Sequence, residues 1–426
     1  MKKGLSFVAL LTLISVMALM QGCKKATVPE LTTAVVTEIT LNSAVSGGAI
    51  ITDGGEDITE KGVCWSTTTG PTIADSKTSD GKGSASFTSN LVGLAEGTPY
   101  FVRAYATNSV GTAYGNEVTF TTTQVTGAVV STTEATNLTS TTATAGGNIT
   151  DAGGGTVSAR GVCWNTTPTP TISNNKTVNG TGVGSFTSSI TGLTDGETYY
   201  YRAYATNSSG TTYGQEFSFI TPVTDIEGNL YKTVVIGTAV WMAENLKVTK
   251  LNDDTEITNA SLDADWIALA GPGYCWYNND LDFNKPIYGA LYNWFAASSA
   301  NICPTGWHVA TDAEYNTLEV ALGLPQADVD IWGWRGTDHG SKMKNTTGWN
   351  AGENGTNTSG FTALPGGYRF HSDGLFNGQN SLGYWWTSTE HDADRGWYRR
   401  LDGNNTAVYK ASTDKNAGKA IRCVKD

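Results

Sequence analysis

The sequence predicts a multidomain chain in which two all-β sandwiches precede an α+β domain. Three observations predict it: a long internal repeat, a composition suited to β-rich secreted proteins, and an abrupt change of residue usage after Pro222. "KGVCWSTTTGPTI" at Lys61 returns as "RGVCWNTTPTPTI" at Arg160, so Cys64 and Cys163 stand 99 positions apart. "RAYATNSVGTAYGNE" and "RAYATNSSGTTYGQE" keep the same spacing. A repeat that long, with strand-like runs broken by turn signals, is a whole small sandwich and not a solenoid unit. Of the 426 residues only 15% are charged, and the formal net charge is −12. That balance argues against nucleic acid, which needs a basic stripe, and against electrostatic binding to an anionic membrane. All 4 histidines and all but two of the 13 tryptophans lie beyond Pro222.

The N-terminus sets the expected compartment. Lys2 and Lys3 precede an apolar run, Leu5 to Met20, which is too short and wrongly flanked to span a bilayer and reads as a signal-peptide core. It ends "LMQGC". Gly22 followed by Cys23 resembles a bacterial lipobox, which implies removal of residues 1–22, lipid on the Cys23 sulfur, and a short tether over 23–29. The expected place is the bacterial outer membrane, on the cell surface before the periplasmic face.

Each repeat carries a Leu–Gly–Tyr spacing: Leu94, Gly97 and Tyr100, then Leu193, Gly196 and Tyr199. This resembles the fibronectin type III pattern, in which the tyrosine hydroxyl caps the loop entering a late strand. The resemblance implies two fibronectin-III/Ig-like sandwiches over 30–123 and 127–221. In the strand that follows, Tyr100, Val102 and Ala104 are expected inside, with Phe101, Arg103 and Tyr105 outside. Cys64 and Cys163 have no partner within their own repeat and read as small buried hydrophobes. Trp65 and Trp164 read as core.

The third domain, 223–426, opens on "DIEGNLYKTVVIGTAVWMAENLK", a run of strands with turns at Gly228-Asn229 and Gly237. "YGALYNWFAA" places Leu291, Trp294 and Phe295 at helical spacing. In "CPTGWHVATDAEYNTLEVAL", Thr311 and Glu314 form a capping box, Tyr315, Leu318 and Leu322 the buried stripe, and Gly323 and Pro325 the stop. His308 reads as a bystander on a strand. Cys303 and Cys423 are expected to form a disulfide in an oxidising envelope, with Cys275 the rival partner.

These blocks, with "GFTALPGGYR", "GYWWTSTE" and "IRCVKD", together resemble the Fibrobacter succinogenes major paralogous domain. The resemblance implies an α+β, C-type-lectin-like fold related to formylglycine-generating enzymes, with the domain's ends brought together.

No HExxH, GxSxG, P-loop or CxxC occurs, and the chain is not expected to be an enzyme. The copper chemistry of the related oxidases needs two neighbouring cysteines and does not carry over. His339, His371 and His391 read as surface loop residues. Asp280, Asp282 and Asn284 alternate like the start of a calcium loop, but Lys285 and Leu291 stand where an EF-hand needs Gly and Glu. No cofactor is expected; only a looser Ca²⁺ site stays open there. "GYWWTSTEHDADRGWYRRLD" offers a ligand surface: Trp385, Trp386, Trp397 and Tyr398 beside Glu390, Arg395 and Arg399. Strand alternation allows only one of Trp385 and Trp386 to face outward. The expected function is that of an envelope lipoprotein. A sandwich stalk of ~70 Å, at ~3.3 Å per strand residue, presents a head that binds an extracellular polysaccharide or surface protein. A purely structural envelope or fibre-layer component without a dedicated ligand site is the alternative, and an enzyme of the formylglycine-generating-enzyme-like fold comes last.

Overall fold

The computed structural model describes residues 25–426. The signal segment and Cys23 lie outside the described residues. The chain is multidomain and β-rich, with several separate sheets and a mixed α/β C-terminal region.

In the first repeat the strands Glu30–Thr33, Ser43–Thr52 and Phe87–Val92 form one sheet. Glu60–Ser66 and Pro99–Thr107 anchor a second, five-stranded sheet. The larger core cluster lies between them: Ala44 and Leu91 from the first sheet meet Val63, Trp65, Tyr100, Val102 and Phe120 from the second. Gly47 sits where the sheet pairs closely. A Cβ there would come within 2.1 Å of the Phe87 carbonyl oxygen, so the strand takes no larger residue.

The second repeat repeats the plan. Thr142–Asp151 pairs with Gly184–Thr191, and the core gathers Ala143, Val162, Trp164, Ile190, Tyr199 and Phe219. Each repeat's tyrosine hydroxyl accepts a hydrogen bond from a loop amide, Ala95 N to Tyr100 and Thr194 N to Tyr199, both 3.0 Å. Cys64 and Cys163 are buried and free, and burial pushes both thiols up to about 11. Tyr105 departs from the expected alternation. It is fully buried, because its hydroxyl donates to the Thr78 carbonyl at 2.6 Å and the ring is folded under that neighbouring segment.

The C-terminal region is organised by two sheets. A four-stranded sheet runs Thr233–Ile236, Ala239–Met242, Cys423–Lys425, Trp307–Val309. The chain's last strand therefore lies inside this sheet. The Cys303–Cys423 disulfide ties it to the loop before the Trp307–Val309 strand, with Cα atoms 6.1 Å apart across 120 positions. Cys275 is buried and free. The second sheet has six strands in the order Gly333–Arg335, Val408–Asp414, Arg395–Asp402, Leu382–Glu390, Gly366–Arg369, Phe376–Gln379.

The helix Asp312–Ala321 has the capping box: the Glu314 amide donates to Thr311 Oγ1 at 3.2 Å, and the Thr311 amide donates to Glu314 Oε2 at 2.8 Å. Tyr315 and Leu318 are buried and Leu322 half-buried. His308 is no bystander. Its ring nitrogens bond Glu314 at 2.8 Å and Asp426 at 2.6 Å, linking the helix cap to the chain's last residue.

"YGALYNWFAA" does not form one helix. Tyr288 ends the preceding helix, Leu291–Tyr292 is a strand against Tyr274 and Cys275, and a new helix covers Trp294–Ala297. The break lies at Asn293, whose extended backbone and side chain, accepting from the Ala296 amide, make it a helix N-cap.

Candidate functional site

The hairpin Leu382–Glu390/Arg395–Asp402 holds every ligand residue expected from the sequence, and the structure distributes them over three environments. Successive side chains on a strand point to opposite faces. Here both faces are covered over part of the hairpin. Trp385 and Trp386 are each 0% exposed and enter different cores. Trp385 packs with Trp241, Tyr315 and Phe361, and its indole N–H donates to Asn245 at 2.8 Å. Trp386 packs with Tyr292 and Trp294 and donates to the Tyr292 carbonyl at 2.9 Å. The expectation that one of the pair faces outward is corrected: the 312–321 helix covers one face and the 291–297 segment the other.

Arg399 is also buried. Its Nε donates to Glu319 at 2.7 Å and its Nη1 to Asp312 at 2.6 Å. Arg335 adds a bidentate pair to Glu319, both bonds 2.7 Å, and Lys410 reaches Asp312 at 2.8 Å. Burial opposes the charge on Asp312, but the cations outweigh it and hold that carboxyl below its usual range. Arg399 therefore clamps the helix to the sheet and offers nothing to a ligand.

At the hairpin tip, half-buried Trp397 stacks edge-on with Trp332, 4.5 Å between ring centroids, and with His391 at 4.8 Å. Trp332 is 53% exposed. Exposed Arg395 is turned back onto Asp392, 2.6 Å away, and exposed Glu390 pairs with Lys415. This patch keeps three of the expected residues near each other, with their charges already paired. The remaining histidines differ from expectation in part: His339 is buried, accepting from the Thr337 amide, while His371 is half-buried.

Tyr398 belongs to the opposite face, where the structure assembles a row that the sequence did not show. Trp334 pairs across strands with Tyr409, Tyr409 with Arg400, and Arg400 with Tyr384. Tyr368 follows, its ring 4.7 Å from Tyr384. The Arg400 guanidinium lies 5.6 Å from the Trp334 ring, 5.4 Å from Tyr409 and 5.6 Å from Tyr384. Asp402 pairs with it from the same strand. Five strands at the usual spacing give the row a length of ~19 Å. Trp334 is 38% exposed, Tyr409, Arg400 and Tyr368 are half-buried and Tyr384 is buried, so the row presents ring surface to solvent at Trp334, Tyr409 and Tyr368.

Beneath the row lies Lys419. Its amine is enclosed by Tyr398 at 4.5 Å, Tyr384 at 4.7 Å, Trp386 at 4.9 Å and Tyr368 at 5.7 Å. Burial, then the nearby Arg400 charge, pulls its pKa down to about 7. Burial raises the Tyr398 hydroxyl to about 12. Arg400, Tyr409, Trp334, Tyr368 and Lys419 were missed because the row exists only once the strands are in order. Within the 395–402 strand alone, parity does set Tyr398 and Arg400 apart from Trp397 and Arg399.

The calcium candidates do not converge. Asp280 N-caps the helix Leu281–Tyr288, accepting from the Phe283 amide at 3.1 Å. Asn284 is buried and donates to the Tyr277 and Asp280 carbonyls, and Asp282 points to solvent. Among the described residues no group of three or more His, Cys, Asp or Glu is arranged to hold a metal ion. No helix among them is long and apolar enough to cross a membrane.

Residues 234–425 match the family model of the Fibrobacter succinogenes major domain. No curated protein matches the chain. Among solved structures, one titled "Myokine structure" is 19% identical, covering 24% of this chain and 100% of its own, with a TM-score of 0.19. A superposition that weak carries no conclusion about fold.

Proposed function

We propose that the protein is a lipid-anchored recognition protein of the bacterial cell surface whose C-terminal head holds an extracellular polysaccharide along the Trp334–Tyr409–Arg400–Tyr384–Tyr368 row. The anchor is Cys23, and the two repeats are the stalk, read as fibronectin-III-like sandwiches. The loop-capping bonds of Tyr100 and Tyr199 support that reading of the repeats. A C-type-lectin-like reading of the head is supported by the last strand lying between Ala239–Met242 and Trp307–Val309.

One observation carries the binding proposal: aromatic and guanidinium groups share one sheet face in a line, with Trp334 exposed and Tyr409, Arg400 and Tyr368 partly so. Sugar rings stack their C–H faces on aromatic rings, and guanidinium donors suit their hydroxyls and carboxylates. A row of that length suits an extended chain better than a compact ligand. Binding needs no metal in this reading, and the protein acts by recognition and not by catalysis.

The test is retention of the full chain on plant, mucin and bacterial polysaccharides, with calcium and with chelator. Trp334→Ala with Tyr409→Ala should weaken binding by about tenfold or more without shifting the melting curve, and chelator should change nothing. Undiminished binding by that variant overturns the row. The structural alternative draws on the burial of Trp385 and Trp386, which removes two rings from the expected platform. Failure of every polysaccharide with the folded chain would favour it.

A further inference from the structure

Four arginines of the C-terminal region are almost wholly buried: Arg335, Arg369, Arg399 and Arg422. Three of them meet a carboxylate. Arg335 pairs with Glu319 at 2.7 Å, Arg369 with Asp263 at 2.8 Å, and Arg399 with Asp312 at 2.6 Å. Arg422 meets none among the described residues. Its Nε donates to Asn245 Oδ1 at 2.7 Å. Its Nη1 donates to the Met242 and Phe361 carbonyls at 2.9 and 2.7 Å, and its Nη2 to the Thr362 carbonyl at 3.2 Å. All these acceptors are neutral. The guanidinium is thus desolvated without a counter-ion, which disfavours the charged form, and burial pulls its pKa down to about 10. A guanidinium has five N–H donors, so these bonds leave one on Nη2 unused.

Arg422 also lines a cavity of about 290 Å³, shared with Asn245, Thr362, Glu244, Lys247 and Lys285. The two lysines are half-buried and lie over ring faces, Lys247 over Tyr231 at 4.9 Å and Lys285 over Trp276 at 5.8 Å, with no carboxylate paired to either among the described residues. Glu244 is the one carboxylate of the lining, and its negative charge is felt at Arg422 without contact. Three cations against one carboxylate leave the cavity electropositive. The volume sits at the small end for ligand pockets, enough for one pyranose ring and not for an oligosaccharide.

We propose that this cavity binds an acidic monosaccharide, a hexuronate. Its carboxylate lies against Arg422 with Lys247 and Lys285 supplying the remaining positive charge, and its hydroxyls meet Glu244 and Thr362. The site is separate from the aromatic row and does not depend on it. Free sugar and the terminal residue of an acidic polysaccharide present the same chemistry.

The test uses the full chain, with calorimetric titration and thermal melts. Galacturonate and glucuronate should bind with a Kd of about 1 mM or tighter and raise the melting temperature, while galactose and glucose do neither. Lys285→Gln should weaken uronate binding about tenfold and leave the ligand-free melt unchanged. This variant avoids Arg422, whose loss would unfold the segments it joins. Trp334→Ala should leave uronate binding intact. A response to oligogalacturonides but not to the monosaccharide identifies the polymer end as the source. The proposal is overturned if neither uronate nor oligogalacturonide binds at ~10 mM, if neutral sugars bind equally, or if Lys285→Gln has no effect. Binding of glutamate with no uronate binding overturns the sugar class.

Discussion

Replacing Glu319 with glutamine should destabilise the C-terminal region more than any surface substitution. Glu319 is 1% exposed and accepts three charge-assisted bonds, two from Arg335 and one from Arg399, each 2.7 Å. The same cluster holds Asp312 and Lys410, so two carboxylates face three cations. Glutamine keeps the shape but leaves one carboxylate for three buried cations, and its amide N–H₂ must face a guanidinium. Breaking a buried pair from one side costs about 3–5 kcal/mol. For a region of this size about 1 kcal/mol moves the midpoint by roughly 2–4 °C, which gives a fall of roughly 6–20 °C. Differential scanning calorimetry of the full chain should show one transition moving while those of the repeats stay put. Glu256→Gln, which removes a surface contact to Lys250, is the control and should not move it. A Glu319→Gln midpoint no lower than that control would refute the view that the cluster clamps the helix to the sheet.

Two pH effects follow from the same region. Lys419 takes its proton near 10.5 when unfolded but only near 7 when folded. Between those values the unfolded state binds the extra proton, so this group makes stability rise with pH by up to about 1.4 kcal/mol per unit, flattening below the folded value. Lys419→Met should remove that slope in urea titrations, and an unchanged slope would count against a neutral buried amine. His308 has the opposite sign. Burial opposes its charge, but Asp426 and Glu314 outweigh this and raise its pKa above 6.5. The contribution is full below that value and lost as pH rises through the folded pKa. The ring is half-exposed, so the gain is about 0.5 kcal/mol, and His308→Gln should abolish it in melts compared at about pH 5.5 and pH 8.

What was legible in the sequence was local. The Thr311–Glu314 box needs residues three apart, and it is present. The repeats were legible because two copies could be compared, and Trp65 and Trp164 lie in their cores as expected. The disulfide was legible as a choice of partners, and burial of Cys275 away from Cys303 resolves it. What was not legible depends on strand order. Glu319 lies four residues after Tyr315, inside the buried stripe, and a charge there reads as an error of pattern until its partners appear 16 and 80 positions later. Trp385 and Trp386 were misjudged because alternation assumes one wet face, and this strand has none at that point. The row of Trp334, Tyr409 and Arg400 joins strands separated by some seventy positions, and no periodicity in the chain announces it.

The joint between the second repeat and the head is open to a controlled test, because the first repeat supplies its own control. Gly97 and Gly196 are equivalent, with φ of 58° and 60°. An alanine at either position meets the same left-handed strain, about 1 kcal/mol. Their surroundings differ. A Cβ on Gly97 would lie 3.3 Å from the Gln124 side chain, which can move aside. A Cβ on Gly196 would lie 2.7 Å from the Trp307 indole. That ring cannot yield, since its strand is paired to Cys423–Lys425 beside the disulfide. Lys425 also reaches Glu197 at 2.8 Å, and the Thr224 amide donates to Asp195 at 3.1 Å. Gly196→Ala should therefore cost the backbone strain plus about 1–3 kcal/mol of overpacking, and should speed proteolysis near Pro222. Gly97→Ala should cost the strain alone. Equal losses would mean that the head hangs from a loose linker, and a loosely hung head could not hold its aromatic row at a fixed angle to the second repeat.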